Sequence, residues 1–127
     1  MTTIKHIVMW KVRGDDAAAR ARNLALLKSE FESLRGRIPG LLQLEVGVDD
    51  SRIDYACDAV LVTEFASREA LAGYAEHPEH LRVRRALGDM RIARHQVDYE
   101  VPSSPLPAGV VAGHDTTGDK HHVQAVR

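Results

Sequence analysis

The chain has 127 residues, and its 17 Lys and Arg against 18 Asp and Glu give a formal net charge of -1. This length predicts one domain, and the balanced charge gives no electrostatic reason to expect nucleic acid or an anionic membrane as a partner. No apolar run approaches the ~20 residues of a membrane span, and the first residues do not resemble a signal peptide. The single cysteine, Cys57, excludes an intrachain disulfide. We therefore expect a cytoplasmic protein.

The pattern of apolar residues predicts elements in the order β-α-β-β-α-α-β. Alternating apolar residues predict the strands, which are expected over residues 4–12, 41–48, 55–65 and 91–101. Apolar residues three or four apart predict the helices, which are expected over residues 17–35, 67–77 and 78–88. In the first helix, Leu24, Leu27, Phe31 and Leu34 form one stripe, and Gly36 is a natural C-terminal stop.

This order of elements is that of the ferredoxin-like α+β fold, in which helices cover one face of a four-stranded antiparallel sheet. The uncovered face is expected to carry Ile7 and Met9, with Ala59 and Leu61 joining them. Such a face costs about 25 cal/mol per Å² while it stays in water, and the same face of a second copy would cover it. The sequence therefore predicts a homodimer whose two sheets meet as one α+β barrel.

The composition changes after Val101, which divides the chain into a domain at residues 1–101 and a C-terminal tail at 102–127. The tail is first rich in Pro, Gly and Ser and then polar, and it has neither helical nor strand periodicity. It carries His114, His121 and His122, but a flexible segment does not preset the geometry that a metal site needs. We therefore expect no metal and no cofactor. The alternative to a flexible tail is an arm that packs on a partner subunit.

The segment GYAEHPEHL, residues 73–81, carries the main candidates for chemistry. Pro78 cannot continue the preceding helix and suits the first position of the next one, so it fixes the angle between Tyr74 and His80. A phenol donor and a base that titrates near neutral pH can together move a proton on a carbonyl substrate. The alternative is that Tyr74 and His80 are residues at the edge of the core that satisfy each other.

Five blocks of sequence, spread over residues 4–101, resemble the stress-responsive A/B barrel (Dabb) family: IKHIVMWKV, IPGLLQLEVG, DAVLVTEFAS, LAGYAEHPEH and VDYEV. The resemblance implies a dimeric α+β barrel with a cavity between its sheet and its helices. The family includes olivetolic acid cyclase, a plant polyketide cyclase that closes a linear tetraketide by aldol condensation without a cofactor. Its catalytic Tyr and His match Tyr74 and His80, and its cavity His on the first strand matches His6. A His that the family often carries on the third strand is replaced here by Ala59.

The strand pattern brings His6 toward the same place. His6 shares a face of the first strand with Val8, and the helices should cover that face. His6, Tyr74 and His80 could then converge on one apolar pocket, which is the usual character of a small-molecule site. The expected lining residues are Val8, Trp10, Leu71, Val83 and Leu87. The alternatives are that His6 is a buried neutral His bonded to a backbone carbonyl, and that Trp10 serves only packing.

Three functions stay open at this point. The first is a cofactor-free enzyme of cyclase or lyase type acting on a small carbonyl or polyketide-like substrate. In it, His80 would be the general base, Tyr74 would hold that base or stabilise the enolate oxygen, and His6 would polarise or orient the substrate. The second is a stress-associated protein that binds an apolar ligand without chemistry. The third is a cofactor-independent monooxygenase, which rests on fold analogy alone.

Overall fold

The computed structural model describes residues 2–102, which form three helices over one face of a four-stranded antiparallel sheet. The strands are β1 (Thr2–Val12), β2 (Leu41–Val48), β3 (Ala59–Phe65) and β4 (Arg91–Pro102). The helices are α1 (Ala17–Glu32), α2 (Arg68–Glu76) and α3 (Pro78–Leu87). The strand order in the sheet is β2-β3-β1-β4, so the predicted ferredoxin-like α+β fold is confirmed.

The C-terminal segment from residue 103 onward lies outside the described residues, and so do the three tail histidines considered for metal binding. No helix within residues 2–102 combines the length and the apolar character needed to cross a membrane.

The core lies between the helices and one face of the sheet. Alternate residues of β1, among them Val8 and Trp10, are buried on this face. The stripe predicted on the first helix supplies the facing layer, because Leu27 and Phe31 are fully buried. The Phe31 ring stacks on the Trp10 indole with 5.0 Å between ring centroids, which is a favourable offset for two aromatic rings. This pair joins the centre of the sheet to α1.

No helix within residues 2–102 covers the other face of the sheet, which we call the open face. The expectation that Ala59 and Leu61 belong to this face is wrong, since they are 3% and 1% exposed and lie in the core. The reason is the register between β1 and β3, in which Ala59 lies opposite Trp10 and Leu61 lies opposite Val8, so both share the buried face of β1. The apolar residues that this register places on the open face include Ile7, Met9, Val60, Val62, Val97 and Tyr99.

Two β-bulges change which way the strands present their residues. In β2, Leu42 is an extra residue opposite β3, and it is 53% exposed rather than sharing the buried side of Leu44. In β4, Lys11 of β1 pairs with Ala93 but the next residue of β1 pairs with Arg91, so Ile92 is extra. A bulge of this kind re-aims side chains next to it. Arg91 therefore lies on the helix side of the sheet, where simple alternation would not put it.

The junction of α2 and α3 is built as the sequence predicted. Ser67 caps α2 by accepting a hydrogen bond from the Ala70 amide at 3.0 Å. His77 ends α2 and also caps α3, because its Nδ1 accepts a hydrogen bond from the Glu79 amide at 3.0 Å. Pro78 is the first residue of α3, where its missing N–H removes no intrahelical hydrogen bond. The break therefore holds the last turn of α2 against the first turn of α3.

Candidate functional site

A cavity of about 550 Å³ lies between the helix side of the sheet and the α2–α3 junction. Its floor is apolar and comes mainly from β1, β3 and α1, with Val8, Trp10, Phe31 and Leu61. Its polar lining residues come from all sides: His6, Tyr74, His80, Arg84, Arg91, Arg94, Gln96 and Asp98. We call this space the cavity. A separate hollow of about 580 Å³ around Met9, Val60 and His95 lies on the open face, away from the predicted site residues.

Tyr74 and His80 face each other at the cavity, with 4.2 Å between their ring centroids. Tyr74 is buried and His80 is half-buried. The Nδ1 atom of His80 lies 3.2 Å from the carbonyl oxygen of Ala75. A carbonyl oxygen can only accept, so Nδ1 donates its proton there and Nε2 is left with the free lone pair. The fixed junction thus presents a basic imidazole nitrogen beside a phenol.

His6 is the third predicted site residue, and it also lines the cavity. It is 6% exposed, and its ring meets the Tyr74 ring edge-on with 6.1 Å between centroids. The alternative of a His bonded to a backbone carbonyl is wrong, because Nδ1 lies 2.6 Å from Oδ1 of Asp98. The structure therefore brings all three candidates to one cavity and adds a carboxylate behind one of them.

Asp98 is a site residue that the sequence analysis missed. It lies on β4 directly opposite His6 in the β1–β4 register. Its second carboxylate oxygen accepts a hydrogen bond from Nε2 of Gln96 at 3.0 Å. The two contacts fix both the carboxylate and the His6 ring that it holds. The alternation of β4 put Asp98 on the same face as Arg94 and Gln96, but only the strand register shows which residue it meets.

The surroundings of His80 and Tyr74 keep both groups uncharged near neutral pH. Burial lowers the pKa of His80 below its usual value, and the charges of Arg84 and Arg91 lower it further, against the opposing hydrogen bond to Ala75. Burial raises the pKa of Tyr74 above its usual value, although Arg91 and Arg94 act in the other direction. A neutral imidazole and a protonated phenol therefore stand side by side at the cavity.

Three arginines that the sequence analysis did not select also line the cavity: Arg84, Arg91 and Arg94. Within residues 2–102, none of the three forms a salt bridge with a carboxylate. Arg91 is half-buried, and its Cζ lies 5.5 Å from the centroid of the Trp10 ring, in the range of a cation–π contact. Burial lowers the pKa of Arg91, and the charges of Arg84 and Arg94 add to this effect. One signal was available in the sequence, since Arg84 follows His80 by four residues and must share its side of a helix.

The structure places three of the five expected lining residues at the cavity. Val8, Trp10 and Leu71 line the cavity. Val83 and Leu87 do not line it, and they lie instead in the part of the core where α3 packs on α1. Trp10 serves both packing and lining, and its buried indole N–H has no hydrogen-bond partner among the described residues. Also within residues 2–102, no group of three or more His, Cys, Asp and Glu residues is arranged to hold a metal ion.

Comparison with known proteins gives a family and several similar structures. The family described as Stress responsive A/B Barrel Domain matches residues 4–101. A dimeric protein of unknown function with a ferredoxin-like fold, from Bacteroides fragilis, is 29% identical with a TM-score of 0.71, covering 78% of this chain and 96% of that chain. No curated protein matches the chain.

Two more distant structures share the fold. A dimeric ferredoxin-like protein of unknown function from Thermobifida fusca is 18% identical with a TM-score of 0.68, covering 79% of this chain and 92% of that chain. A hydroxynitrile lyase from Passiflora edulis is 11% identical with a TM-score of 0.66, covering 82% of this chain and 97% of that chain. At these identities the likeness concerns the fold alone.

Proposed function

The chain belongs to the stress responsive A/B barrel family, and we propose that it is a cofactor-free enzyme that moves a proton next to the carbonyl group of a small substrate. The observation that carries the proposal is the Tyr74–His80 pair, whose ring centroids are 4.2 Å apart at the cavity. The reaction class is that of a cyclase or lyase acting through an enolate, and a polyketide-like chain is one substrate of this kind.

His80 is the general base in this proposal. Its Nε2 takes a proton from the carbon next to the carbonyl, the C–H electron pair becomes the enolate, and the imidazolium later gives its proton to the product or to water, which restores the base. The hydrogen bond from Nδ1 to Ala75 holds the tautomer that leaves Nε2 free. Burial and the neighbouring arginines keep the pKa of His80 low, so the base is unprotonated at neutral pH.

Tyr74 donates a hydrogen bond to the enolate oxygen. Burial keeps the pKa of its phenol high, so the group remains a donor over the whole working range of the base. A donor placed where charge develops contributes about 10²–10³-fold to a rate of this kind. His6, whose Nδ1 donates a hydrogen bond to Asp98, presents its other ring nitrogen as a hydrogen-bond acceptor that can orient a donor group of the substrate.

A homodimer is part of the same proposal. The open face carries apolar residues from β1, β3 and β4, and among them Val97 is 57% exposed in the single chain. The similar proteins from Bacteroides fragilis and Thermobifida fusca are described as dimeric. Pairing of two open faces would remove this surface from water and form an α+β barrel, while each cavity stays on the helix side of its own sheet.

Lyase chemistry has one further support. The similar structure from Passiflora edulis is a hydroxynitrile lyase, so this fold carries a lyase in at least one other protein. The fold likeness transfers no residue role, and the roles above rest on the geometry of Tyr74, His80 and His6 in this chain.

The test is exchange of carbon-bound protons in deuterium oxide, followed by proton NMR with acetylacetone, acetophenone and β-benzoylpropionate. We expect exchange above the buffer rate for at least one compound, background exchange with His80→Ala, and exchange slower by about 10²–10³-fold with Tyr74→Phe. The control is His77→Asn, because His77 lies outside the cavity and Asn is also a good N-cap.

Two outcomes would contradict the proposal. One is wild-type exchange at the rate of buffer for every compound, which would favour a binding protein without chemistry. The other is undiminished exchange by His80→Ala with a circular dichroism spectrum equal to that of the wild type.

A further inference from the structure

The cavity differs in charge from the rest of the chain. Three arginines and one aspartate line it, so its formal charge is +2 with neutral histidines, whereas the chain as a whole carries -1. The single acid, Asp98, already receives hydrogen bonds from His6 and Gln96. The positive charge is therefore concentrated at the cavity and is not balanced there.

The position of Arg91 results from the bulge in β4. Arg94, Gln96 and Asp98 reach the cavity by ordinary alternation along the strand. Arg91 is three residues before Arg94, so regular pairing would send it to the open face. The extra residue Ile92 turns it back to the cavity side, opposite Val12. The bulge in β4 therefore brings Arg91, in addition to Arg94, to the cavity.

This arrangement places charged groups of the same sign close together. Charged groups that leave water are normally paired, and like charges oppose each other. Arg91 is half-buried beside Arg84 and Arg94, and it has no carboxylate partner within residues 2–102. The Trp10 ring is its aromatic neighbour, and a cation–π contact balances only part of the lost hydration. A bound anion would supply the missing partner.

We propose that the cavity binds small carbonyl compounds that also carry a carboxylate, and that Arg91, together with Arg84 and Arg94, holds this carboxylate. The planar guanidinium group presents a fork of N–H donors that matches a carboxylate with two parallel hydrogen bonds. The apolar part of the ligand lies over Trp10, Phe31 and Leu61. As an assignment of substrate class, this inference rests on the proposed function, while carboxylate binding itself does not need turnover.

The experiment compares β-benzoylpropionate with its primary amide, which has nearly the same shape and no charge. Isothermal titration calorimetry at low and moderate salt gives the affinity of each compound for the wild type, Arg91→Gln and Arg85→Gln. Arg85 is the matched control, because it lies on α3 next to Arg84, is exposed and does not line the cavity.

We expect the wild type to bind the acid about tenfold or more tightly than the amide, as charge-assisted hydrogen bonds predict. Arg91→Gln should bring this ratio close to one while the amide affinity changes little, and Arg85→Gln should keep the wild-type ratio. The preference should also shrink with added salt. Equal affinity for acid and amide, an unchanged ratio in Arg91→Gln, or no measurable binding of either compound would overturn the proposal.

The same titration with His80→Ala separates this proposal from the proposed function. A preference for the acid that persists in His80→Ala, together with no proton exchange by the wild type, supports the carboxylate site and contradicts the enzyme. Proton exchange that depends on His80, together with equal binding of acid and amide, supports the enzyme and contradicts the carboxylate site.

Discussion

The Nδ1 atom of His6 lies 2.6 Å from Oδ1 of Asp98, and the two residues face each other across the β1–β4 pair. The contact joins the inner strand β1 to the edge strand β4, and both residues line the cavity. Because the carboxylate accepts from Nδ1, it sets the orientation of a His ring that touches the Tyr74 ring edge. Asp98 is therefore a positioning residue in the proposed site.

Replacing Asp98 by Asn should reduce kcat/KM by about 10- to 100-fold, because a hydrogen bond to a charged group is lost. The melting temperature should change little, since Asp98 lies at the partly exposed edge of the sheet. The pH profile should change its shape as well, which a purely structural effect would not produce. Glu100→Gln on the same strand is the control, because Glu100 is exposed and does not line the cavity. An Asp98→Asn protein with the rate and pH profile of the wild type would contradict the positioning role.

The acid limb of the pH–rate profile should reflect His80. Its pKa is lowered from the model-compound value of 6.5, so activity should persist below pH 6.5 and be lost only as the pH falls through the lower pKa of the folded protein. A bound carboxylate would counter the arginine charges, so the acid limb should lie at higher pH with β-benzoylpropionate than with its amide. An acid limb above pH 6.5 with the amide would contradict the assignment.

The same pKa also predicts a pH-dependent stability. Because the unfolded His80 binds a proton more readily than the folded one, its contribution is fully present above pH 6.5 and is lost as the pH falls through the folded pKa. Urea unfolding at several pH values should show this loss for the wild type. His80→Gln should lose less stability over the same interval, and an identical pH dependence for both proteins would count against the lowered pKa.

The homodimer can be tested by placing a charge on the open face. Val97 lies on the open face opposite Ile7 of β1, so Val97→Glu would put a carboxylate of each copy into the proposed interface. Burying an unpaired charge should weaken the dimer about 100-fold or more, and sedimentation equilibrium should show a shift to monomer. Leu26→Glu is the control, because Leu26 is a similarly exposed apolar residue on α1. A dimer that survives Val97→Glu with unchanged affinity would place the interface elsewhere.

The stack between Phe31 and Trp10 should be a main source of stability. Phe31→Ala would remove a fully buried ring and its aromatic partner contact, and it should lower the free energy of unfolding by about 3–5 kcal/mol. Leu26→Ala on the same helix should cost much less, because Leu26 is 39% exposed. Urea unfolding of the two variants gives the comparison, and similar losses for both would contradict the assigned core.

Much of the fold was predictable from periodicity. The order of elements, the stripe on α1 and the break at Pro78 depend on residues close in sequence. The convergence of His6, Tyr74 and His80 also followed, because it needs only the face of β1 and the junction between two helices.

The rest depends on relations between distant parts of the chain. Asp98 meets His6 because of the strand register, and Arg91 reaches the cavity because of a bulge, and neither feature leaves a local signal. The helix periodicity predicted which face of α3 carries Val83 and Leu87, and this led to their assignment to the cavity lining. It could not predict that this part of α3 packs on α1. The same limit explains the wrong expectation for Ala59 and Leu61, since alternation groups residues by face without saying which face the helices cover.

The most direct test of the acid–base site is a crystal structure of the protein with β-benzoylpropionate bound. The account predicts the ketone oxygen within about 2.6–3.2 Å of the Tyr74 hydroxyl, with the adjacent carbon next to Nε2 of His80 and the carboxylate on Arg91. A ligand bound on the open face, or one in the cavity with its ketone turned away from both Tyr74 and His80, would contradict it.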